Sequence, residues 1–304
     1  MRTPAAVVIA IALVLLGTER PGAWGFEVHR FITDRAIDLL PDPIRPFYQK
    51  HRAFIVERSV DPDLWRNAGW TEEPPRHFVD LDAYGRPPFG DLPRDYDRAV
   101  ERYGADFVLR NGTLPWRTAE IYGQLRRHFE IQKRGGTGYG LENIKFHSAV
   151  LAHYVEDGHV PFHAVLNYDG QLTGQHGIHS RWESDLVARH RTTLQLAPPP
   201  VVAVSDMRAY MFDVLQGSFP HVDAILAADK AAVAGRDEYD DAYFDLMYRD
   251  TRLILEQRLS AAIAGVASAI VGAWEAGGKP ELPLDTPREN RKVRRNPTPS
   301  PGAY

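Results

Sequence analysis

From Asp237 to Trp274 apolar residues recur at helical spacing, and Leu255, Leu259, Ile263, Val266 and Ile270 form one stripe. The uncharged part of this run, Leu259 to Trp274, is rich in Ala and Gly. It falls short of the about 20 residues that a bilayer crossing needs, so it reads as a buried core helix. A helix of that length dictates the rest, because its stripe has to be covered, and the chain offers mainly further helices to cover it. Between His29 and Leu40 the residues Phe31, Ile32, Ala36, Ile37 and Leu40 make a helical face that stops at Pro41. Thr118 to Lys133, Leu141 to Asp157 and Asp206 to Phe219 show the same period. The expected fold is therefore all-α, a single mainly helical domain. Only between Arg58 and Asp97 does the period fail, where Pro, Asp and Gly take over. A long irregular segment (about 58–97) inside a helical domain is commonly a functional one. The glycines of Arg134 to Gly140 follow a helix and lack the Lys-Ser/Thr end of a phosphate loop, so they read as a connector.

The ends of the chain differ from its body. Arg2 precedes an apolar run from Ala5 to Leu16, and small and polar residues follow to Ala23, the layout of a secretory signal peptide over residues 1–23. Export to the periplasm or the medium is expected, with no transmembrane anchor and no stable protein partner implied. The chain contains no cysteine, so stability is expected from a core and from metal rather than from disulfides. Residues 24–278 form the expected domain. Residues 279–304 are Pro-rich, apolar-poor and basic at Arg291, Lys292, Arg294 and Arg295, as expected of a disordered tail. The net charge is −4; the leader contributes +1 and Lys279 to Tyr304 contributes +3, which leaves the body near −8. Such a body has no broad basic face for nucleic acid, although carboxylates that ligate divalent ions would overstate its negativity. Asn111-Gly112-Thr113 has the form of a glycosylation sequon but reads better as a turn.

The chemistry concentrates between His153 and Glu183. His153 and Asp157 are four residues apart, as are His179 and Glu183, so each pair shares a helix face, and His163 stands between the pairs. Imidazole with carboxylate is the donor set a borderline divalent metal such as zinc takes when no thiolate is available. Two doublets with a histidine between them suggest several ions. His29 and His77 also sit in ligand-like contexts. His51, His128, His190 and His221 have ordinary surroundings, while His147, His159 and His176 lie near the cluster but off its spacing. Asp61 and Asp63 are both candidates in the irregular segment, where by themselves they would read as turn-forming, exposed aspartates.

Taken together, Trp24 followed five residues later by His29, Asp63 followed by Arg66 and then His77-Phe78-Val79-Asp80, His153-x3-Asp157-x5-His163, and His179-Ser180-Arg181-Trp182-Glu183 resemble the superfamily of zinc-dependent phospholipases C and single-strand-specific zinc nucleases. The resemblance covers Trp24 to Glu183. It implies a trinuclear zinc site to which the irregular segment contributes. One Zn2+ would be held by Asp63, His77, His153 and Asp157. A second would be held by His163, His179 and Glu183. The third would be held by Trp24, His29 and a bridging Asp157. The role of Trp24 requires its free α-amine, hence cleavage after Ala23. The implied activity is hydrolysis of phosphodiester bonds by in-line attack of metal-bound hydroxide, with Asp63 orienting the water and Arg66 clamping a phosphate oxygen. The substrate would be a phospholipid head group or single-stranded nucleic acid, with Trp65, Trp70, Tyr84 and Phe89 available to serve either. Glu183 follows the phospholipase branch, where nucleases usually carry Asp. The alternative is an exported, non-catalytic zinc-binding protein whose metals are structural.

Overall fold

In the computed structural model, which describes residues 25–136 and 139–284, the fold is all-α, with no strand among those residues. In chain order the α-helices are α1 (Phe26–Asp38), α2 (Arg45–Lys50), α3 (Arg52–Arg58), α4 (Asp61–Asn67), α5 (Tyr96–Tyr103), α6 (Ala105–Arg110), α7 (Leu114–Lys133), α8 (Gly140–Gly158), α9 (Ile178–Ser180), α10 (Leu186–His190), α11 (Met207–Ser218), α12 (Val222–Val233) and α13 (Asp241–Ala276). The signal-peptide segment, Trp24 and the tail beyond Leu284 lie outside the described residues.

The two most buried helices organise everything else. α8 is enclosed on nearly every side, from Leu141 to Gly158, by α7, α13, α3, α1 and α11. A helix apolar all round belongs in a core, and α8 breaks that rule at His153, Glu156 and Asp157, all fully buried. α13 is the long helix expected from the sequence. By length and composition it could cross a membrane, yet 83% of its apolar window is covered by the rest of the fold. Asp240 starts it by accepting a hydrogen bond from the Tyr243 amide, and Asp206 starts α11 by accepting from Ala209. α7 begins with Pro115 in its first turn and ends where Gly135 and Gly136 take positive φ.

Two departures from the sequence reading bear on the site. The stretch expected to be irregular contains α4, a two-turn helix with Pro62 and both aspartates in its first turn. Those residues favour a helix start, but seven residues are too few to display a period. In addition, Tyr84 and Phe89, expected to be available to substrate, are core residues: Tyr84 meets Tyr103 and Phe107 edge-on, and Phe89 meets Phe219. The turn reading of Asn111 to Thr113 fits. The Asn111 side chain is buried and donates to the Phe107 carbonyl, and Gly112 has φ +89° with its Cα against the Phe78 carbonyl.

A Pro-rich segment, residues 194–205, runs extended along α13. Its amides are received by side chains spaced along one face of that helix: Gln195 by Glu256, Ala197 by Ser260 and Val202 by Ser268. Gly272 allows the closest approach, since a Cβ there would stand 2.1 Å from the Val204 carbonyl oxygen.

Candidate metal centre

His29 from α1, Asp63 and Arg66 from α4, His77 from the turn Pro74–His77, and His153 with Asp157 from α8 converge on one buried point. His163, in the turn Pro161–Ala164, and the pair His179 and Glu183 complete the far side. The last pair spans α9 and a wide π-turn, Arg181–Asp185, and its members still approach to 3.0 Å. Three groups result, of which the first two share His153: His29, His153 and Asp157; Asp63, His77 and His153; and His163, His179 and Glu183. In each, the donor atoms lie within 4.8 Å of one another.

Asp157 is the centre of the arrangement. Its Oδ2 lies 3.0 Å from His77 Nδ1 and 3.3 Å from His153 Nε2. Its Oδ1 looks the other way, 3.7 Å from both His29 Nε2 and His163 Nδ1. One carboxylate thus presents separate oxygens to separate sets of imidazoles. Asp63 joins the cluster, whereas Asp61 turns aside to Arg58, so the choice the sequence left open falls on Asp63.

One ring nitrogen in each of three histidines is held by a protein oxygen. His29 Nδ1 donates to Glu156 Oε2 at 2.5 Å, and Thr33 donates to the other oxygen of Glu156. His153 Nδ1 donates to the Ser59 carbonyl at 2.8 Å, and His163 Nδ1 donates to the His77 carbonyl at 2.6 Å. Such bonds fix tautomer and ring orientation, and they leave Nε2 of each facing inward as a lone-pair donor. His77 is the exception: its Nδ1 faces the cluster, and its Nε2 lies 3.6 Å from Glu73 Oε1. Glu73 is buried, bonded by the Tyr154 hydroxyl and paired with Arg76.

His77 Nδ1 lies within hydrogen-bond distance of Asp157 Oδ2 (3.0 Å) and His153 Nε2 (3.1 Å), but other inward atoms lack partners. His29 Nε2, Asp157 Oδ1, His179 Nε2 and both oxygens of Asp63 and of Glu183 are buried without a hydrogen bond among the described residues. Buried polar atoms are rarely left so, and a group of them facing one another asks for a shared partner of positive charge. The electrostatics agree. Burial, reinforced by Asp63 and Glu183, pushes the Asp157 carboxyl well above the usual range, although His29 opposes it. Burial pushes His77 down to about 4 and His153 and His163 well below the ordinary histidine value. For His29 burial is outweighed by Glu156 and the neighbouring aspartates, which bring it up to about 9. Nitrogen and oxygen donors without thiolate fit zinc, so the residues present suit the metal that the resemblance implies.

Most of the cluster is sealed, with its exposed edge at His179 and Arg66, whose side chains are 15% and 22% accessible. Arg66 Nη2 lies 2.9 Å from Asp63 Oδ1 without hydrogen-bond geometry. Its charge is felt by His77, His153, His163 and His179 alike. Beside it Trp65 stacks on the half-exposed Trp70 at 5.5 Å.

His147 and His159 stay outside the groups, His147 in α8 and His159 just past its end, each donating from Nδ1 to a carbonyl of α8. Glu156 and Glu73 were not anticipated. Glu156 had a signal, since it shares a face of α8 with His153, three residues before it. Glu73 had none, because its approach to His77 and Tyr154 is set by tertiary packing. Trp24 lies outside the described residues, but its neighbour Gly25 donates to Ser184 Oγ at 2.9 Å, next to Glu183.

No model of a known protein family matches this chain, and no curated protein matches it in sequence. Among solved structures it is similar to the crystal structure of Clostridium perfringens alpha-toxin isolated from avian strain SWCP, at 11% sequence identity and a TM-score of 0.47. The similarity covers 85% of this chain and 65% of the toxin chain, so this protein spans about two thirds of that neighbour's length.

Proposed function

We propose that the protein is an exported zinc-dependent hydrolase of phosphodiester bonds, phospholipase C-like or single-strand nuclease-like. The observation that carries the reading is Asp157, whose two oxygens face different imidazoles inside a buried cluster of unpartnered polar atoms, with an arginine at its accessible edge. Asp63, His77, His153 and Asp157 would hold one ion, and His163, His179 and Glu183 a second. His29 and Asp157, completed by the amine and carbonyl of Trp24, would hold a third. When bound, zinc lowers the pKa of a coordinated water to about 7 and neutralises charge on phosphoryl oxygens.

The remaining work falls to the chain itself. Asp63 accepts a proton from the attacking water and orients it towards phosphorus. Arg66, at the accessible edge, receives a non-bridging phosphate oxygen and holds the ester in line. Glu156 and the carbonyls of Ser59 and His77 keep three imidazoles in the tautomer that directs Nε2 inward. A site with purely structural metals would be closed; an accessible arginine at its edge favours catalysis.

The test uses protein beginning at Trp24, with zinc measured by elemental analysis and turnover assayed with and without chelator. Phosphatidylcholine, single-stranded DNA, RNA and a bis-aryl phosphate form the panel. Turnover of at least one substrate, lost on chelation and restored by zinc, is expected. A folded, zinc-loaded protein inert to the whole panel returns the structural reading. Full metal and full activity in His163→Ala or Asp157→Ala would sink the cluster itself.

A further inference from the structure

Past the C-terminal end of α8, a second buried charge has no role in this chemistry. Arg258 projects from α13 and is 7% exposed. Its Nε donates to the His159 carbonyl at 3.0 Å, and its Nη2 donates to Ser218 Oγ at 2.6 Å and, at 3.5 Å, to the Val214 carbonyl. All of these acceptors are neutral. Among the described residues Arg258 forms no ion pair, and burial without a counter-charge brings its pKa down from 12.5 to about 10. Keeping a cation largely out of water is expensive, so an arginine this buried and without a carboxylate favours an anion wherever its free nitrogen can be reached.

The remaining nitrogen, Nη1, makes no hydrogen bond among the described residues. It lies 3.9 Å from where a Cβ of Gly217 would stand, and Gly217 and Arg258 both line a cavity of about 570 Å³ between α11, α13 and the extended segment. Two more polar atoms reach this cavity without a protein partner: the Tyr210 hydroxyl and His159 Nε2, the latter left as an acceptor because Nδ1 donates to Val155. Gly265 lets them meet over α13, since a Cβ there would fall 2.6 Å from the hydroxyl and 2.9 Å from His159 Cε1. Asp206 and Asp213 line the same cavity but are committed, one to the start of α11 and one to Arg94. Pro199, Pro200, Val202 and Ala264 make one part of the wall apolar, and Ser205 and Ser268 add polar lining.

The geometry points to a binding site for a small amphipathic anion, an oxyanion head on a short apolar chain. The head would take Arg258 Nη1 and the Tyr210 hydroxyl, and the chain would lie along Pro199, Pro200 and Val202. His159 Nε2 would accept from the hydroxyl of a singly protonated phosphate, or from a water beside a carboxylate. The volume suits such a ligand, since small-molecule pockets run from about 300 to 1,000 Å³. The assignment stands apart from the metal centre and does not depend on its activity.

Calorimetric titration of the zinc-loaded protein with octyl phosphate, octanoate and octanol tests it. At least one anion is expected to bind saturably, with octanol at least about tenfold weaker, as befits a charge-assisted bond. The two anions together identify the head group. Arg258→Gln is expected to lose about tenfold or more in affinity for the anion, whereas an anion held by the zinc centre instead would bind that variant unchanged. Because Arg258 also ties α13 to the end of α8, its loss can damage the fold. Val202, 70% exposed at the rim, supplies the second arm. Val202→Lys is expected to tighten, and Val202→Glu to weaken, anion binding by about two- to threefold each. The assignment is overturned if neither anion binds, if octanol binds as well as the anions, if folded Arg258→Gln binds them as the wild type does, or if the two Val202 variants fail to shift affinity in opposite directions.

Discussion

The α8 cluster and the Arg258 cavity both bury charge, and they leave opposite kinds of atom without a partner. In the cluster the imidazole N–H groups are spent on protein oxygens, and what remains inward is lone pairs and carboxylate oxygens. At Arg258 the other donors are spent on two carbonyls and a hydroxyl, and what remains is an N–H bearing positive charge. Orphaned atoms therefore state the sign of the missing partner: a cation between α1, α4 and α8, an anion between α11 and α13. The comparison breaks if either region is stable and functional with nothing bound.

The largest effect should come from removing the cation. A ligand bound only by the folded state at about a thousand times its Kd adds about 4 kcal/mol, which for a domain of this size is about 10 °C in Tm. Melting zinc-loaded and chelated protein side by side measures it. An unchanged Tm would mean that the carboxylates of Asp63, Asp157 and Glu183 are neutralised in some other way. The same ligands bind protons in competition with metal, so zinc affinity is expected to fall steadily as pH is lowered.

Next in size is Arg66, which belongs to the edge of the cluster rather than its centre. Arg66→Ala is expected to keep the zinc content of the wild type and to lose about 10²-fold in kcat/KM on a phosphodiester, the scale of one lost charge-stabilising donor. If zinc is lost as well, the arginine holds Asp63 in place and does not act on substrate. Glu156 separates the two functions from the other side. Glu156→Ala removes the partner of His29 Nδ1 and should weaken zinc by about 10- to 100-fold in a competition titration against a chromophoric chelator. Glu156→Gln, which can still accept from His29, should recover part of that loss. Equal effects of the two variants would reduce Glu156 to a packing residue.

How much of this was legible in the sequence depended on whether a feature repeats along the chain. The long helices were legible because α7, α8, α11 and α13 each show several turns of one apolar face. The four-residue spacing of His153 and Asp157 was legible for the same reason. α4 was not, because seven residues hold too little period, so by itself Asp63 reads as an exposed turn residue and only the resemblance marked this buried side chain as a ligand. Tyr84 and Phe89 were misread because an aromatic in a Pro- and Gly-rich stretch carries no sign of which way it faces. Arg258 was the least visible: nothing in its neighbours along α13 says that α11 and the end of α8 close over it. Periodicity along the chain finds ligands that one helix brings together; those from six separate segments were marked in the sequence only by the resemblance, and the fold shows that they meet.

The last test takes the rule outside either region and reads a slope with pH rather than a single loss. Asp80 follows His77 by three residues but lies in neither site; it is buried, its Oδ1 has no hydrogen bond among the described residues, and nearby Tyr84 has an orphaned hydroxyl. Burial, with Asp82 adding its charge, raises the Asp80 carboxyl from 3.8 to about 8. Here the missing partner is a proton. Because the folded state holds that proton more tightly than the unfolded chain, its contribution to stability is complete below about pH 3.8 and is lost progressively as pH rises to about 8. Asp80→Asn carries the amide in place of the protonated acid and should lose that slope, so its stability relative to wild type should climb from pH 4 to 8 and level off above. Denaturant melts of both proteins across that range measure the difference. A difference that stays constant with pH would show that Asp80 is ionised in the fold, and that a buried orphan atom by itself does not reveal the sign of what it lacks.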